Sequence, residues 1–161
     1  MLADVIKKVR QNHALEHGTV SILLGKMGPN VRLIGRAVAD GFYIYGRVPT
    51  EAIQSSAEEA LHRLQSGEAT LAVTPLCGTN LAVAGILAGS ASMMAMGRRS
   101  RLERLPGVFT FAMVGVLASQ PVGQIVQKYL TTSPDLQGTS ITGVRRRAGG
   151  LVHKVETVRA D

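Results

Sequence analysis

The sequence predicts an α+β fold: a small helix–hairpin–helix–strand domain, completed by a C-terminal β-hairpin and interrupted by an inserted two-helix transmembrane hairpin. Three observations predict it. Apolar residues recur at helical spacing over residues 2–24 and again after Pro49. Two β-rich runs flank Asp40-Gly41, a hairpin turn signal, and two more follow residue 139. Between those halves lie two stretches without a charged residue, 69–97 and 105–127. A chain of 161 residues has core enough for one fold and not two. The predicted organisation is one α+β domain in two pieces, 1–73 and 131–161, around a membrane hairpin at 74–130 with spans at about 81–97 and 106–127.

In the first helix the apolar positions are Leu2, Ile6, Val9, Val20 and Leu24. The same spacing carried through the gap falls on His13 and on Glu16 or His17. Gly25 is expected to stop the helix, and Gly28-Pro29-Asn30 to turn the chain. Residues 31–38 and 42–45, with β-branched and aromatic content, read as strands. Pro49-Thr50 opens a second helix, with Thr50 as N-cap and Glu51 favourable in its first turn. Ile53, Ala57, Ala60, Leu61 and Leu64 form its buried stripe, and Ser66-Gly67 ends it. Residues 71–73 read as a third short strand. Residues 140–144 and 151–158 read as two more strands around Ala148-Gly149-Gly150. A membrane hairpin returns the chain to the side it left, so these strands are expected to join the earlier sheet.

Each uncharged stretch exceeds the roughly 20 residues that carry a helix across a bilayer core. The turn between them, 98–104, is polar and holds Arg98, Arg99, Arg101 and Arg104. Gly85 and Gly89 form a G-x-x-x-G step, with Gly107, Gly115, Ala118 and Ser119 available as its facing surface. Pro121 is expected to kink or end the second span, and Lys128 with Tyr129 to anchor it at the interface. Residues 74–80 are expected to loop at the membrane surface ahead of a first span that starts near Leu81. A helix pair buried in a soluble core fits poorly, because soluble helices seldom run so far without charge. The expected setting is the cell membrane, with two spans, the lipid bilayer as partner, and small-residue faces that permit a homo-oligomer. An even number of spans puts both termini on one side. The N-terminal segment has no apolar run behind a basic one and so no secretory signal, which places the termini in the cytoplasm. The Arg-rich turn argues the other way.

The balance is basic, with 18 Lys and Arg against 11 Asp and Glu, which suits an anionic membrane surface. With no Trp, three Tyr and three Phe, a stacking platform for nucleic acid is not expected. The one cysteine, Cys77, excludes an internal disulfide.

One motif carries chemistry. His13-Ala14-Leu15-Glu16-His17 is H-x-x-E-H, and on a helix His13 and His17 stand one turn apart on the same face. Two imidazoles so placed can hold a zinc ion, and Glu16 beside them can polarise a metal-bound water. This is the inverted form of the H-E-x-x-H metallopeptidase motif. A third ligand is required. Glu58, Glu59 and Glu68 on or after the second helix, Cys77, His62 and His153 all remain candidates. The alternative is a packed polar network in which the histidines bond Glu16, Asn80 or backbone carbonyls.

Four segments, in chain order, carry a resemblance: residues 10–17 (RQNHALEH), 41–46 (GFYIYG), 77–80 (CGTN) and 127–133 (QKYLTTS). Together they resemble a family of small uncharacterised bacterial membrane proteins, a domain of unknown function associated with cyanobacteria and green non-sulphur bacteria. The resemblance spans most of the chain and implies a membrane protein, with no established activity. Members often carry a His two or three residues before the Cys. Here Thr74 and Pro75 precede Cys77, so a ligand at that place would be missing.

Two functional readings follow. The first is a non-catalytic membrane protein, a scaffold or accessory subunit, in which the His–Glu–His cluster and the Cys77 loop are structural. The second is a membrane-tethered zinc hydrolase or peptidase, with His13, His17 and Cys77 or a carboxylate as ligands and Glu16 as general base.

Overall fold

The computed structural model describes residues 1–28, 30–96, 105–147 and 149–160. The Arg-rich turn, Pro29 of the first turn and Ala148 of the last lie outside the described residues. The chain divides into two compact units, residues 1–74 with 131–161, and residues 75–130.

The first unit is α+β. Helix α1 (Leu2–Met27) runs past Gly25 and ends at Gly28, whose φ of 84° lets its N–H cap the Leu24 carbonyl. Gly25 is therefore tolerated inside the helix and does not stop it. Strands β1 (Ile34–Val38) and β2 (Gly41–Tyr45) pair antiparallel, with Val38 opposite Gly41. The connecting pair is thus Ala39-Asp40, one residue earlier than the turn signal suggests. Gly41 opens β2 at φ 137°, where a Cβ would collide with the Val155 carbonyl. Helix α2 (Thr50–Gln65) has Pro49, not Thr50, at its N-cap, and no side chain caps it. Proline's fixed φ suits the entry, and Thr50 becomes the first helical residue. Residues 69–72 form a single 3₁₀ turn and not a strand. Gly67, at φ 95°, turns the chain back on itself, and the Leu71 N–H closes a local bond on the Glu68 carbonyl at 3.2 Å.

Strands β3 (Thr139–Arg146) and β4 (Val152–Arg159) form the C-terminal hairpin, with a bulge at Thr142 between Ile141 and Gly143. Strand β4 pairs with β2, giving the sheet order β1-β2-β4-β3. The last two strands therefore complete the sheet begun before the hairpin. One face of that sheet, with Phe42, Ile44 and Val155, packs on Leu15, Leu23, Ile53 and Leu64. Large apolar side chains buried this way contribute about 1.5–3 kcal/mol each. The two helices approach at Gly18, where a Cβ would stand 3.1 Å from Ala60.

The second unit is a helical hairpin, α3 (Gly78–Met96) and α4 (Leu105–Val126), with a π-helical turn at Gln127–Thr131. Helix α3 starts at Gly78, so 78–80 are helical and not loop. Both helices are long and apolar enough to cross a membrane. Only 6% of the apolar window of the first and 11% of the second is buried, where a soluble core helix would be mostly covered. Pro121 lies inside α4 without ending it. The close contact between the helices is at Gly115, where a Cβ would sit 2.7–2.8 Å from the backbone of Leu87 and Ala88. Gly85 and Gly89 meet nothing within 4 Å, so the G-x-x-x-G step does not face α4. Near the start of α3, Asn80 donates to the Pro75 carbonyl at 2.9 Å and accepts from buried Gln127 at 2.8 Å.

Candidate metal centre

Helix α1 buries Glu16 and His17 on the side that carries Leu15, Ile22 and Leu23; the stripe expected from Leu2, Ile6, Val9, Val20 and Leu24 is exposed or half-buried. Glu16 and His17 are buried and His13 is half-buried. The two imidazole rings stand edge to face, with centroids 4.3 Å apart.

Each histidine is oriented by a backbone carbonyl. His13 Nδ1 lies 3.0 Å from the Thr131 carbonyl, and His17 Nδ1 lies 2.8 Å from the Ala72 carbonyl. A carbonyl oxygen only accepts, so each Nδ1 carries the proton and donates. In a neutral imidazole each Nε2 then carries a lone pair. This is how metal-binding histidines are commonly held, with the second nitrogen fixed by an outer hydrogen bond.

Both Nε2 atoms face one carboxylate. Glu16 Oε2 lies 4.0 Å from His13 Nε2 and 3.8 Å from His17 Nε2. Gly35 of β1 makes room for this carboxylate; a Cβ there would collide with Glu16 Oε1. Two imidazole lone pairs and an anionic oxygen thus converge.

The carbonyls that orient the rings are themselves held. Arg10 Nη2 donates to the Thr132 carbonyl at 3.0 Å, and the Ser133 N–H donates to the Arg10 carbonyl at 3.0 Å. These bonds dock residues 131–133 on α1 and bring Thr131 to His13. The 3₁₀ turn brings Ala72 to His17. Neither carbonyl is legible in a sequence, since every residue has one. Gly35 left a fainter signal, a glycine inside a strand, which marks a close approach.

The other carboxylates proposed as third ligand are occupied elsewhere. Glu68 makes two bonds to Arg63, at 2.7 and 2.6 Å, and Glu59 pairs with Lys26 at 2.8 Å. These partners hold both carboxyls below the usual range. Glu58 is exposed and accepts from Gln54 at 3.0 Å. His62 is exposed, and His153 is buried on β4 beside Arg146, whose charge, with that of Glu51, acts on it. Cys77 is not in a disulfide. In its own unit it forms a turn with Thr79, whose N–H lies 3.4 Å from Sγ.

The chain is 34% identical over 138 residues to an uncharacterized protein of Picosynechococcus sp., covering 78% of this chain. It spans 66% of that relative's length. No solved structure matches. A family model described as a domain of unknown function, DUF6391, matches residues 8–144, which include His13, Glu16, His17 and Cys77 together with both apolar helices, and the chain belongs to that family.

Proposed function

We propose that this is a two-span integral membrane protein whose α+β domain holds a transition-metal ion, zinc by its ligand chemistry, in a non-catalytic centre. His13 and His17 are the first two ligands through Nε2. Cys77 is the third: it follows Ala72, the residue whose carbonyl orients His17, by five positions, a stretch of at most about 18 Å of chain. Imidazole and thiolate donors together suit zinc. The observation that carries this reading is the pair of Nδ1-to-carbonyl bonds, which aims two lone pairs at one carboxylate. His17, 2% exposed, and Glu16, 6% exposed, are shielded from bulk water. In this role the centre is structural, as a scaffold or accessory subunit requires. The exposed apolar surface of α3 and α4 takes the bilayer as its solvent, with both termini on the cytoplasmic side. Gly85 and Gly89, open on α3, offer a second copy of the hairpin a close approach.

Metal analysis of the detergent-purified protein tests the centre. One zinc per chain is expected, lost in His13→Ala and His17→Ala. In a cobalt-substituted sample, a thiolate-to-metal absorption that vanishes in Cys77→Ser assigns the third ligand. Sub-stoichiometric metal in the wild type contradicts the proposal.

Hydrolysis is the second reading, favoured by one observation: Glu16 Oε2 stands within 4.0 Å of both ligand nitrogens, where a general base would act on a metal-bound water. Glu16→Gln separates the two. Cleavage of a peptide library by the wild type, abolished in a Glu16→Gln protein that keeps its zinc, establishes the hydrolase. No cleavage by either leaves the centre structural.

A further inference from the structure

The last strand of the α+β unit ends on a cation that faces α1. Side chains alternate along a strand, so Val155, Thr157 and Arg159 leave β4 on one face. Val155 belongs to the core, which puts all three on the side of the helices. The Thr157 hydroxyl accordingly donates to Asn12 Oδ1 of α1 at 2.8 Å. Arg159, two residues further on, lies against the preceding turn of α1. There a cleft of about 210 Å³ opens, lined by Lys8, Gln11, Asn12, Asp40, Thr157 and Arg159. Lys8, Gln11 and Arg159 also form walls of a second cleft, of about 400 Å³, with Asp4 and Lys7.

Buried polar side chains build the smaller cleft. Gln11 and Asn12 are each 3% exposed. Gln11 Nε2 donates to the Asp135 carbonyl at 2.5 Å, and Asn12 Nδ2 to the carbonyls of Val38 and Ala39 at 2.8 and 3.2 Å. These bonds tie α1 to the β1–β2 turn and to the chain before β3, and so fix the walls. They also account for Gln11 and Asn12, two residues of the 10–17 segment that the metal centre does not use.

The carboxylates around the clefts are matched. Asp40 accepts from Lys154 at 2.6 Å, and Asp4 pairs with the Met1 ammonium at 2.7 Å. The two cations shared by the clefts are not: among the described residues neither Lys8 nor Arg159 forms an ion pair. Arg159 is half-buried, and its Nη1 is buried with no hydrogen-bond partner among the described residues. A guanidinium nitrogen in this state has lost water without gaining an acceptor, which costs free energy. An anionic oxygen in the cleft removes that cost.

We propose that this cleft binds the oxyanion of a small ligand, a carboxylate or a phosphate ester, through Nη1 of Arg159 and the ammonium of Lys8. A guanidinium binds either group through short, directed bonds, and a lysine adds a compact charge beside it. The Thr157 proton is engaged by Asn12, so its hydroxyl offers lone pairs only and accepts from an N–H or O–H next to the ligand's anionic group. The second cleft, with Asp4 and Lys7 on its walls, takes the rest of the ligand. The site uses neither the metal ligands nor the apolar helices, so its failure leaves those readings untouched.

The test uses the full chain in detergent. Acetate and inorganic phosphate are each titrated against chloride at equal ionic strength, and binding is followed by calorimetry and by the nitrogen NMR signals of the Arg159 guanidinium. Saturable binding of acetate or phosphate is expected, with a shift of the Arg159 signals and no chloride equivalent. Acetate alone assigns a carboxylate ligand, phosphate alone a phosphate ester, and both together a site that reads their shared charge. Arg159→Ala is expected to weaken binding about tenfold or more, the loss of a charge-assisted contact, and Arg159→Lys to restore part of it by keeping the charge without the fork. Lys8→Ala, at an exposed position that the fold does not depend on, weakens it several-fold. No saturable binding beyond chloride overturns the proposal, as does wild-type affinity in either alanine variant.

Discussion

The two units of this chain use apolar residues in opposite ways. In the α+β unit Phe42 is fully buried, among Leu15, Leu23, Ile44 and Ile53. In the hairpin Phe109 is 66% exposed, and Leu81, Met94 and Leu117 are exposed further still, at 72–80%. The first arrangement is stabilised by removing surface from water. In the membrane setting proposed above, the medium around the second is as apolar as its side chains, and close backbone packing, not burial, holds the helices together. The difference shows in the glycines as well. Gly41 and Gly67 in the α+β unit supply backbone angles, while Gly115 and Gly123 in the hairpin supply proximity.

The same substitution in both units gives the sharpest contrast. Phe42→Ala is expected to destabilise the α+β unit by about 3–5 kcal/mol, read from denaturant unfolding. Phe109→Ala is expected to cost under about 1 kcal/mol, because lipid surrounds that ring with or without the hairpin contact. Equal costs would mean that Phe109 is packed in a water-excluded protein core.

Within the hairpin, Gly115→Ala forces a Cβ into the backbone of Ala88 and is expected to cost about 1–3 kcal/mol as overpacking. Gly85→Ala meets open space and is expected to change the stability of the hairpin by less than about 0.5 kcal/mol. Thermal unfolding in detergent compares the two. A reversed order would place the G-x-x-x-G step, not Gly115, at the helix contact.

Within the α+β unit, Gly35→Ala pushes the Glu16 carboxylate away from the histidines without altering a ligand. Zinc affinity is expected to fall about tenfold or more, the usual effect of disturbing the groups behind a metal's ligands. Competition with a fluorescent chelator measures it, and unchanged affinity would separate Glu16 from the metal.

The smallest expected effect is on pH dependence. Burial, and then the charge of Arg146, holds His153 below its ordinary value of 6.5, while Glu51 acts in the opposite sense. The apolar Ile44 flanks it on β2. The folded chain therefore binds fewer protons than the unfolded one, and stability rises with pH in the window between the two values. The stability linked to His153 is present above 6.5 and is lost as pH falls from there toward the folded value. His153→Leu is expected to flatten this acid limb relative to the wild type, and an identical limb in both would remove His153 as its source.

Much of this was legible in the sequence, and the reasons differ by element. The stripe expected on α1 is not its buried face: Leu2 and Ile6 are exposed, and Leu15, Ile22 and Leu23 are buried instead, yet Glu16 and His17 are buried with them and His13 half-buried. Hairpin signals placed β1 and β2, and the uncharged runs placed α3 and α4. The strand expected at 71–73 became a 3₁₀ turn because Gly67 reverses the chain and local bonds satisfy its backbone, which overrides the β propensity of Leu71 and Val73. Thr50 looked like a cap, but Pro49 took that place. The orienting carbonyls of Ala72 and Thr131 had no sequence signal at all. His153 was visible only as a spare ligand; its burial, with no hydrogen-bond partner among the described residues, is a property of the folded sheet.

The contrast between the two units is tested most directly by carbonate extraction of membranes from cells expressing the chain. High pH strips proteins that sit on the bilayer and leaves those that cross it. The protein is predicted to stay in the membrane pellet, and its release into the soluble fraction would contradict the account of α3 and α4 as lipid-facing helices.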